Sequence, residues 1–146
     1  MSSVLVHDPL QRVVATLHPN HTWEKTVLEP WRIETWDAND TVLIADPATD
    51  ADVGPYLRRL PASTYLPTWH AQRRTGALGL AERAAADRAA IHAGTPSTAH
   101  LDPLGRSILT VVPNRFKYSD RAVAEEIHRQ RVGFDVEGNV REIMDA

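Results

Sequence analysis

A phrase of fourteen residues occurs twice in this chain, and it constrains the fold more than any other feature of the sequence. HDPLQRVVATLHPN spans residues 7–20 and LDPLGRSILTVVPN spans residues 101–114; aligned without a gap, they match at seven of fourteen positions. Each copy begins with Asp-Pro after one residue, continues through a mostly apolar run and ends with Pro-Asn. This order predicts a turn, a strand and a second turn, and its recurrence indicates a β-repeat.

Four places share the turn signal of this phrase, in which Asp follows an apolar residue or His and precedes two variable residues and a turn-tolerant one. An aspartate at the first position of a turn bonds the backbone two residues on, Pro presets φ at the second position and Gly suits the fourth. The four aspartates are 29, 65 and 33 residues apart, and the long interval equals about one repeat plus an insert. The residues assigned to the repeat turns are Asp8, Pro9, Arg12, Asp37, Asp102, Pro103, Gly105, Arg106, Asp135 and Gly138.

Strand character follows the turns, and helix signals replace it in the middle of the chain. Three helices are expected there: 56–60 after Pro55, 67–74 before Gly76, and 80–93 before Gly94, the last with only a thin apolar side. The predicted strands are 11–18, 23–29, 31–36, 41–45, 106–112, 115–118, 128–134 and 140–144, with Pro19-Asn20 and Pro113-Asn114 as the far turns.

These patterns predict a mainly β fold with a helical insert (α+β). We expect one structural unit, an antiparallel strip of sheet with open edges, made from hairpins in residues 1–45 and 99–146. The insert is expected to occupy residues 46–98, with its helices in about 50–94.

Composition bounds the classes of function. With 146 residues, 42% hydrophobic, and a net charge of −3, the chain has the size and balance of one folded domain. That charge gives no reason to expect nucleic acid or an anionic membrane as a partner. The absence of cysteine excludes disulfides, thiolate nucleophiles and cysteine zinc sites. No apolar run approaches the length of a membrane span, and MSSVLVHDPL has no signal-peptide pattern.

Simpler roles account for the side chains that could support catalysis. His18 and His21 have the spacing of a short metal motif, but they flank a Pro-Asn turn without a carboxylate at ligand spacing. Asp37 with Asp40, or Glu125 with Glu126, would form an acid–base pair, although a turn and an exposed polar segment account for them. We therefore expect no enzymatic activity, catalytic residue, metal or cofactor.

The phrase Asp102-Pro103-Leu104-Gly105-Arg106 resembles the DxxGR signature of RHS/YD-repeat proteins. The longer string DPLQRVVATLHPNHTWEKTVLEPWRIETWDANDTV is similar to a stretch of the B component of insecticidal Tc toxin complexes, and so are DADVGPYLRRLPASTYLPTWHAQRRTGALG and HAGTPSTAHLDPLGRSILTVVPN. The resemblance covers nearly all of the chain. The turns depart from the motif at Gln11, which replaces Gly, and at Asn139, which replaces Arg.

The resemblance implies a structural role rather than a catalytic one. In Tc toxins, YD-repeat sheet winds into a hollow shell that encloses a toxic domain, so this stretch is expected to be a piece of shell wall. The implied partners are other segments or subunits of the complex and an enclosed toxin polypeptide. The implied location is extracellular, after a cytoplasmic stage before release, and this segment is not expected to insert into a membrane.

Two further functions remain open from the residues alone. One is a free-standing binding or adaptor module from a truncated toxin gene, docked on the open sheet edge of a longer relative; the other is a metal-dependent enzyme that uses the central histidines and acids. The four tryptophans also leave a choice between ordinary packing and an apolar lining for an unfolded passenger: Trp23, Trp31, Trp36 and Trp69.

Overall fold

The computed structural model describes residues 2–118 and 120–146 and forms one antiparallel sheet. Eight strands follow one another across the sheet in chain order, so each pairs with the strands before and after it. The predicted fold class, mainly β with a helical insert, is confirmed. The strands are β1 (Val4–His7), β2 (Val13–Leu17), β3 (Trp23–Leu28), β4 (Arg32–Trp36), β5 (Ser97–Leu101), β6 (Ser107–Phe116), β7 (Ala124–Phe134) and β8 (Val140–Asp145).

The insert leaves the sheet after β4 and returns at β5, which pairs directly with β4. Its helices are α1 (Gly54–Leu57), α2 (Trp69–Arg74) and α3 (Leu80–Ile91). The sequence therefore located all three helices, although α1 begins and ends earlier than expected. Thr68 caps α2, because its hydroxyl accepts a hydrogen bond from the backbone N–H of Ala71 at 3.3 Å.

The insert covers one face of the first half of the sheet. Leu17 and Trp23 of the sheet pack with Val53, Leu57 and Tyr65 of the insert in one buried cluster. The helix α3 contributes little to burial, since Ala86 is its buried residue. It lies against α2, and the Arg73 guanidinium donates to Glu82 at 2.5 Å.

A buried lysine fastens the insert to the sheet. Lys25 of β3 is only 5% exposed, and its Nζ donates to Asp50 at 2.8 Å and to Asp52 at 2.7 Å. The ammonium also lies 4.6 Å from the ring centroid of Trp36. Burial by itself would lower the pKa of Lys25, but the hydrogen bonds and charges of the two aspartates outweigh it and raise that pKa.

The second half of the sheet is largely uncovered. Every residue of β8 is exposed, although alternate residues of a strand point to opposite faces. Large apolar side chains such as Ile127, Ile143 and Met144 are therefore open to solvent on β7 and β8. Unlike the half over which the insert packs, this part of the sheet has neither face covered by another layer of the described chain.

Two predicted elements were wrong. Residues 41–45 form turns instead of a strand. The backbone carbonyls of Asp37, Asn39 and Thr41 accept hydrogen bonds from backbone N–H groups three or four residues on. The Thr41 hydroxyl also donates to the Trp23 carbonyl at 2.5 Å. The Pro113-Asn114 turn does not exist either, since both residues lie inside the continuous strand β6. At this point β6 has already passed the pairing range of β5, so proline is tolerated there.

Replacement of Leu57 by alanine tests whether the insert is held by this cluster. Leu57 is fully buried, so we expect Leu57→Ala to lower the free energy of unfolding by about 2–5 kcal/mol. The matched control is Leu80→Ala, at a leucine that is 84% exposed, with an expected change within about 0.5 kcal/mol. Urea unfolding measures both values, and equal losses would contradict the packing of α1 against the sheet.

Candidate functional site: the aspartate turns of the hairpin rim

Because the strands alternate in direction, four hairpin turns lie side by side at the same end of the strands. We call this end of the sheet the hairpin rim and define it by residues 8–11, 29–32, 102–105 and 135–138. Three of these turns begin with an aspartate that the sequence assigned to the repeat. The remaining turn begins with Glu29; the sequence predicted a break between two strands at Pro30 but did not assign this turn to the repeat.

The carboxylate of Asp8 holds its turn closed. One oxygen accepts from the backbone N–H groups of Leu10 at 2.8 Å and Arg12 at 3.0 Å. The other oxygen accepts from the Arg12 guanidinium, with Nε at 2.8 Å. One buried side chain therefore satisfies two backbone donors and pairs with a cation within five residues.

Asp102 repeats this arrangement in the third turn of the rim. Its first oxygen accepts from the backbone of Leu104 and Arg106, both at 2.9 Å, and its second accepts from the Arg106 Nε at 2.7 Å. Pro9 and Pro103 occupy the same second position of their turns. The first halves of the two copies of the repeated phrase thus form the same structure, whereas their second halves differ at Pro19 and Pro113.

The last turn replaces the arginine by asparagine and keeps the geometry. Asp135 accepts from the backbone of Glu137 at 2.9 Å and Asn139 at 2.8 Å. The Asn139 amide donates to its second oxygen at 3.1 Å. The departure from the repeat motif at this position therefore substitutes a neutral donor for a charged one.

The residue at the fourth position of each aspartate turn adopts a left-handed backbone conformation. The φ angle is 63° at Gln11, 75° at Gly105 and 91° at Gly138. The strand register shifts beside each of the three turns, as expected when a type I turn is followed by a left-handed residue. Glycine adopts this conformation without strain, whereas glutamine does not.

Arg106 connects neighbouring turns of the rim. Its guanidinium carbon lies 4.4 Å from the ring centroid of Phe134, the residue that precedes Asp135. A Cβ atom at Gly138 would lie 3.1 Å from the Arg106 Nη1. The arginine therefore closes its own turn and also packs on the next one, so the two hairpins are held side by side.

Asp37 belongs to a different kind of turn. It follows β4 at the end of the strands opposite to the rim, and its carboxylate accepts from the backbone N–H groups of Asn39 at 2.7 Å and Asp40 at 2.9 Å. Asp40 in turn accepts from the backbone N–H and the hydroxyl of Thr95. This pair therefore joins the two ends of the insert and begins no hairpin of the rim.

The other candidate side chains have partners within the fold. His18 Nε2 lies 3.0 Å from Glu24, and His21 Nδ1 lies 2.7 Å from the Pro67 carbonyl oxygen. Glu125 pairs with Arg115 at 3.0 Å. Within residues 2–118 and 120–146, no three or more His, Asp or Glu side chains converge as metal ligands, and no helix has the length and apolarity of a membrane span.

The turn carboxylates have depressed pKa values. Hydrogen bonds from the Arg12 and Arg106 backbone N–H groups are the largest cause of the lowered pKa of Asp8 and Asp102. For Asp135 the largest cause of the lowered pKa is the hydrogen bond from the Asn139 side chain. All three groups are thus stabilised as carboxylates by the folded turn.

Comparisons with solved structures locate this architecture in larger proteins. The chain matches the crystal structure of TcdB2-TccC3 with a TM-score of 0.59 and 15% identity, over 98% of this chain and 5% of that one. The chain is similar in fold to one part of a Tc toxin. The Photorhabdus luminescens Tc holotoxin pore also matches, with a TM-score of 0.56, 15% identity and the same coverage. No family model and no curated protein sequence matches the chain.

These matches support the Tc toxin resemblance at the level of the fold. The chain spans only 5% of the TcdB2-TccC3 chain, so it corresponds to a small stretch of that molecule. Each carboxylate of the rim closes its own turn, and Arg106 also packs on the turn beside it. The site therefore shapes the hairpins and positions two of them relative to one another.

A reciprocal exchange at the left-handed position tests the turn geometry. Gln11→Gly should raise the free energy of unfolding, and Gly105→Gln should lower it, each by about 1 kcal/mol or less, because strain and the freedom of unfolded glycine partly offset each other. Gly105→Val should cost more than Gly105→Gln, since β-branched residues resist positive φ. Urea unfolding measures these changes; destabilisation by Gln11→Gly would contradict the shared geometry.

The lowered pKa values predict a loss of stability in acid. Unfolded aspartate has a pKa of about 3.9, so carboxylates with lower folded pKa values stabilise the protein above that pH. This stabilisation is lost as the pH falls through the folded pKa values. The free-energy difference between wild type and Asp102→Asn should therefore be largest above about pH 5 and shrink below about pH 4.

Unfolding by urea across this pH range measures the difference, with Asp87→Asn on the exposed side of α3 as the control. The control should differ little from wild type at every pH. A difference between wild type and Asp102→Asn that grows as the pH falls would show that the carboxylate does not hold the turn.

Proposed function

We propose that this chain is a non-enzymatic structural module, a strip of the RHS/YD-repeat β-shell that encloses a toxin polypeptide in a Tc-type insecticidal complex. It acts outside the cell, with other segments or subunits of the complex as partners. One observation carries the proposal: an open-edged, sequentially ordered sheet matches a 5% stretch of TcdB2-TccC3 over 98% of its own length. Such a sheet has two edge strands, β1 and β8, to which further strands can be added.

The uncovered half of the sheet supports this role. Neither face of β8 is covered, and β7 is exposed over residues 124–131. An exposed edge strand beside apolar side chains is a site for pairing with another strand. In a shell wall, the next strand would continue the sheet at β8 and enclosed polypeptide would contact one face.

The register identifies which amides of β8 are free to pair. Arg129 and Ala146 exchange both backbone hydrogen bonds at 2.8 Å, so they form a hydrogen-bonded pair. Bonded and non-bonded pairs alternate in an antiparallel ladder, which makes Val132 and Ile143 a non-bonded pair. The N–H of Ile143 therefore points away from β7, toward the place of the next strand.

Proline at position 143 tests the proposed wall. Ile143→Pro removes an outward N–H without removing a bond to β7, and it is expected to leave the fold intact. In cells that produce the complete toxin, the amount of this variant in high-mass particles should fall at least about ten-fold. Ile143→Thr, which removes similar apolar surface but keeps the N–H, is the matched control and should assemble nearly as well as wild type.

Light scattering of the tagged chain gives particle mass, and hydrogen exchange of residues 140–145 reports pairing of the edge. We expect slow exchange in the particle and fast exchange in the isolated chain. Equal assembly of Ile143→Pro and wild type would contradict a continuous sheet at β8. A wild-type chain found only as a 16.2 kDa monomer would favour the free-standing adaptor instead.

A further inference from the structure

A narrow pocket lies where three segments of the chain meet. The start of β3, the turns that follow β4 and the start of α2 surround it, and its buried wall residues are Trp23, Thr41, Val42 and Thr68. We call it the junction pocket, because it lies between the sheet and the insert. It offers about 10 Å³ to the centre of a water molecule, which is room for one water and too little for a larger ligand.

The wall of this pocket includes a buried hydrogen-bond donor that lacks an acceptor. Trp23 is only 2% exposed, and among the described residues its indole N–H makes no hydrogen bond. The indole of Trp36, by contrast, donates to the Glu34 carboxylate at 2.6 Å. The other such donor, Arg32 Nε, has the Glu29 carboxylate 3.4 Å away. Since buried polar groups are nearly always paired, the Trp23 indole requires an acceptor from outside the chain.

Two threonine hydroxyls complete the polar lining of the buried wall. The Thr68 oxygen accepts from the Ala71 N–H at 3.3 Å, but its own hydrogen has no acceptor among the described residues. The Thr41 hydroxyl donates to the Trp23 carbonyl at 2.5 Å, so the lone pairs of its oxygen stay available. Two donors and one acceptor of the buried wall therefore border the junction pocket.

These three groups match the hydrogen bonding of a water molecule. A water oxygen accepts two hydrogen bonds, one from the Trp23 indole and one from the Thr68 hydroxyl, and a water O–H can donate to the Thr41 oxygen. Buried waters typically make about three such bonds. A cation does not suit the site, because an indole N–H can only donate.

We propose that the junction pocket binds one water molecule, which accepts from the Trp23 indole and the Thr68 hydroxyl and donates to the Thr41 oxygen. The water joins β3, the turns after β4 and α2, so it connects the insert to the sheet at a second place besides the Lys25 ion pairs. A bridging water of this kind is enthalpically nearly as favourable as a direct hydrogen bond. The site lies within one chain and does not depend on the shell role.

A high-resolution crystal structure of the chain tests the site directly. We expect a water oxygen within about 2.7–3.2 Å of Trp23 Nε1 and within about 2.5–3.0 Å of Thr68 Oγ1. A direct hydrogen bond from the indole to a protein oxygen overturns the inference. A pocket that holds no water also overturns it.

Nuclear magnetic resonance supplies a second readout in solution. The Trp23 indole proton should show an Overhauser cross-peak with water. A peak that arises from proton exchange grows with pH, whereas one that arises from a bound water does not, so spectra at two pH values separate them. If the Trp23 indole shows no cross-peak with water, or one that grows with pH, the proposed water site is wrong.

A substitution in the wall tests where this water lies. Val42→Ile adds one carbon to the junction pocket and should displace the water, so the cross-peak should fall at least about five-fold. The matched control is Val13→Ile, at a strand residue that is 42% exposed, and it should change the peak by less than about two-fold. Circular dichroism and thermal unfolding verify that both variants are folded. A cross-peak that Val42→Ile leaves unchanged would show that the water lies outside the junction pocket.

Discussion

The hydrogen bonds from an aspartate carboxylate to the backbone of its own turn are the interaction on which the hairpin rim depends. In three turns, one oxygen accepts two backbone N–H groups and the other accepts a side-chain donor. These bonds satisfy donors that the strands leave unpaired at the turn. They also fix the left-handed residue that follows and the register shift beside it, so the alignment of each hairpin is set locally.

The two halves of the sheet reach stability in different ways. In the first half, the insert covers one face, and Lys25 bonds to Asp50 and Asp52 across the junction. In the second half, longer strands replace the cover: β6 and β7 pair over eight residue positions, from Leu109 to Phe116. Backbone pairing holds such strands in place but leaves their side chains in water, which is why this half is suited to further contacts.

Local sequence signals predicted turns and helix ends correctly where a residue type has a single structural role. Asp-Pro before a mostly apolar run predicted two rim turns, and Gly94 marked the end of α3. The same reasoning placed Asp37 among the repeat turns, although it lies at the end of the strands opposite to the rim and helps to join the two ends of the insert. Residues 41–45 are β-prone, but backbone hydrogen bonds close them into turns and the Thr41 hydroxyl bonds the Trp23 carbonyl.

The break between strands at Pro30 was predicted, but the place of this turn beside the aspartate turns and the role of Lys25 were not. The aspartate signature is absent there, because the turn begins with glutamate. The longer side chain of Glu29 pairs with Arg32, and among the described residues it makes no hydrogen bond to the turn backbone. Lys25 is one of only two lysines in the chain, but rarity alone does not indicate a partner. Its aspartates lie 25 and 27 residues away, so their convergence depends on where the insert folds.

The amino-acid sequence by itself determined the three aspartate turns of the rim, the places of the helices in the insert and the absence of cysteine chemistry, because these depend on residues close together in the chain. The tertiary structure decided which edge each turn occupies, which half of the sheet is covered and which apolar side chains stay in water. Those outcomes depend on the alternation of strand direction across the whole sheet and on the side to which the insert returns. Neither is encoded in the spacing of any single motif, since both arise only when distant segments pair and pack.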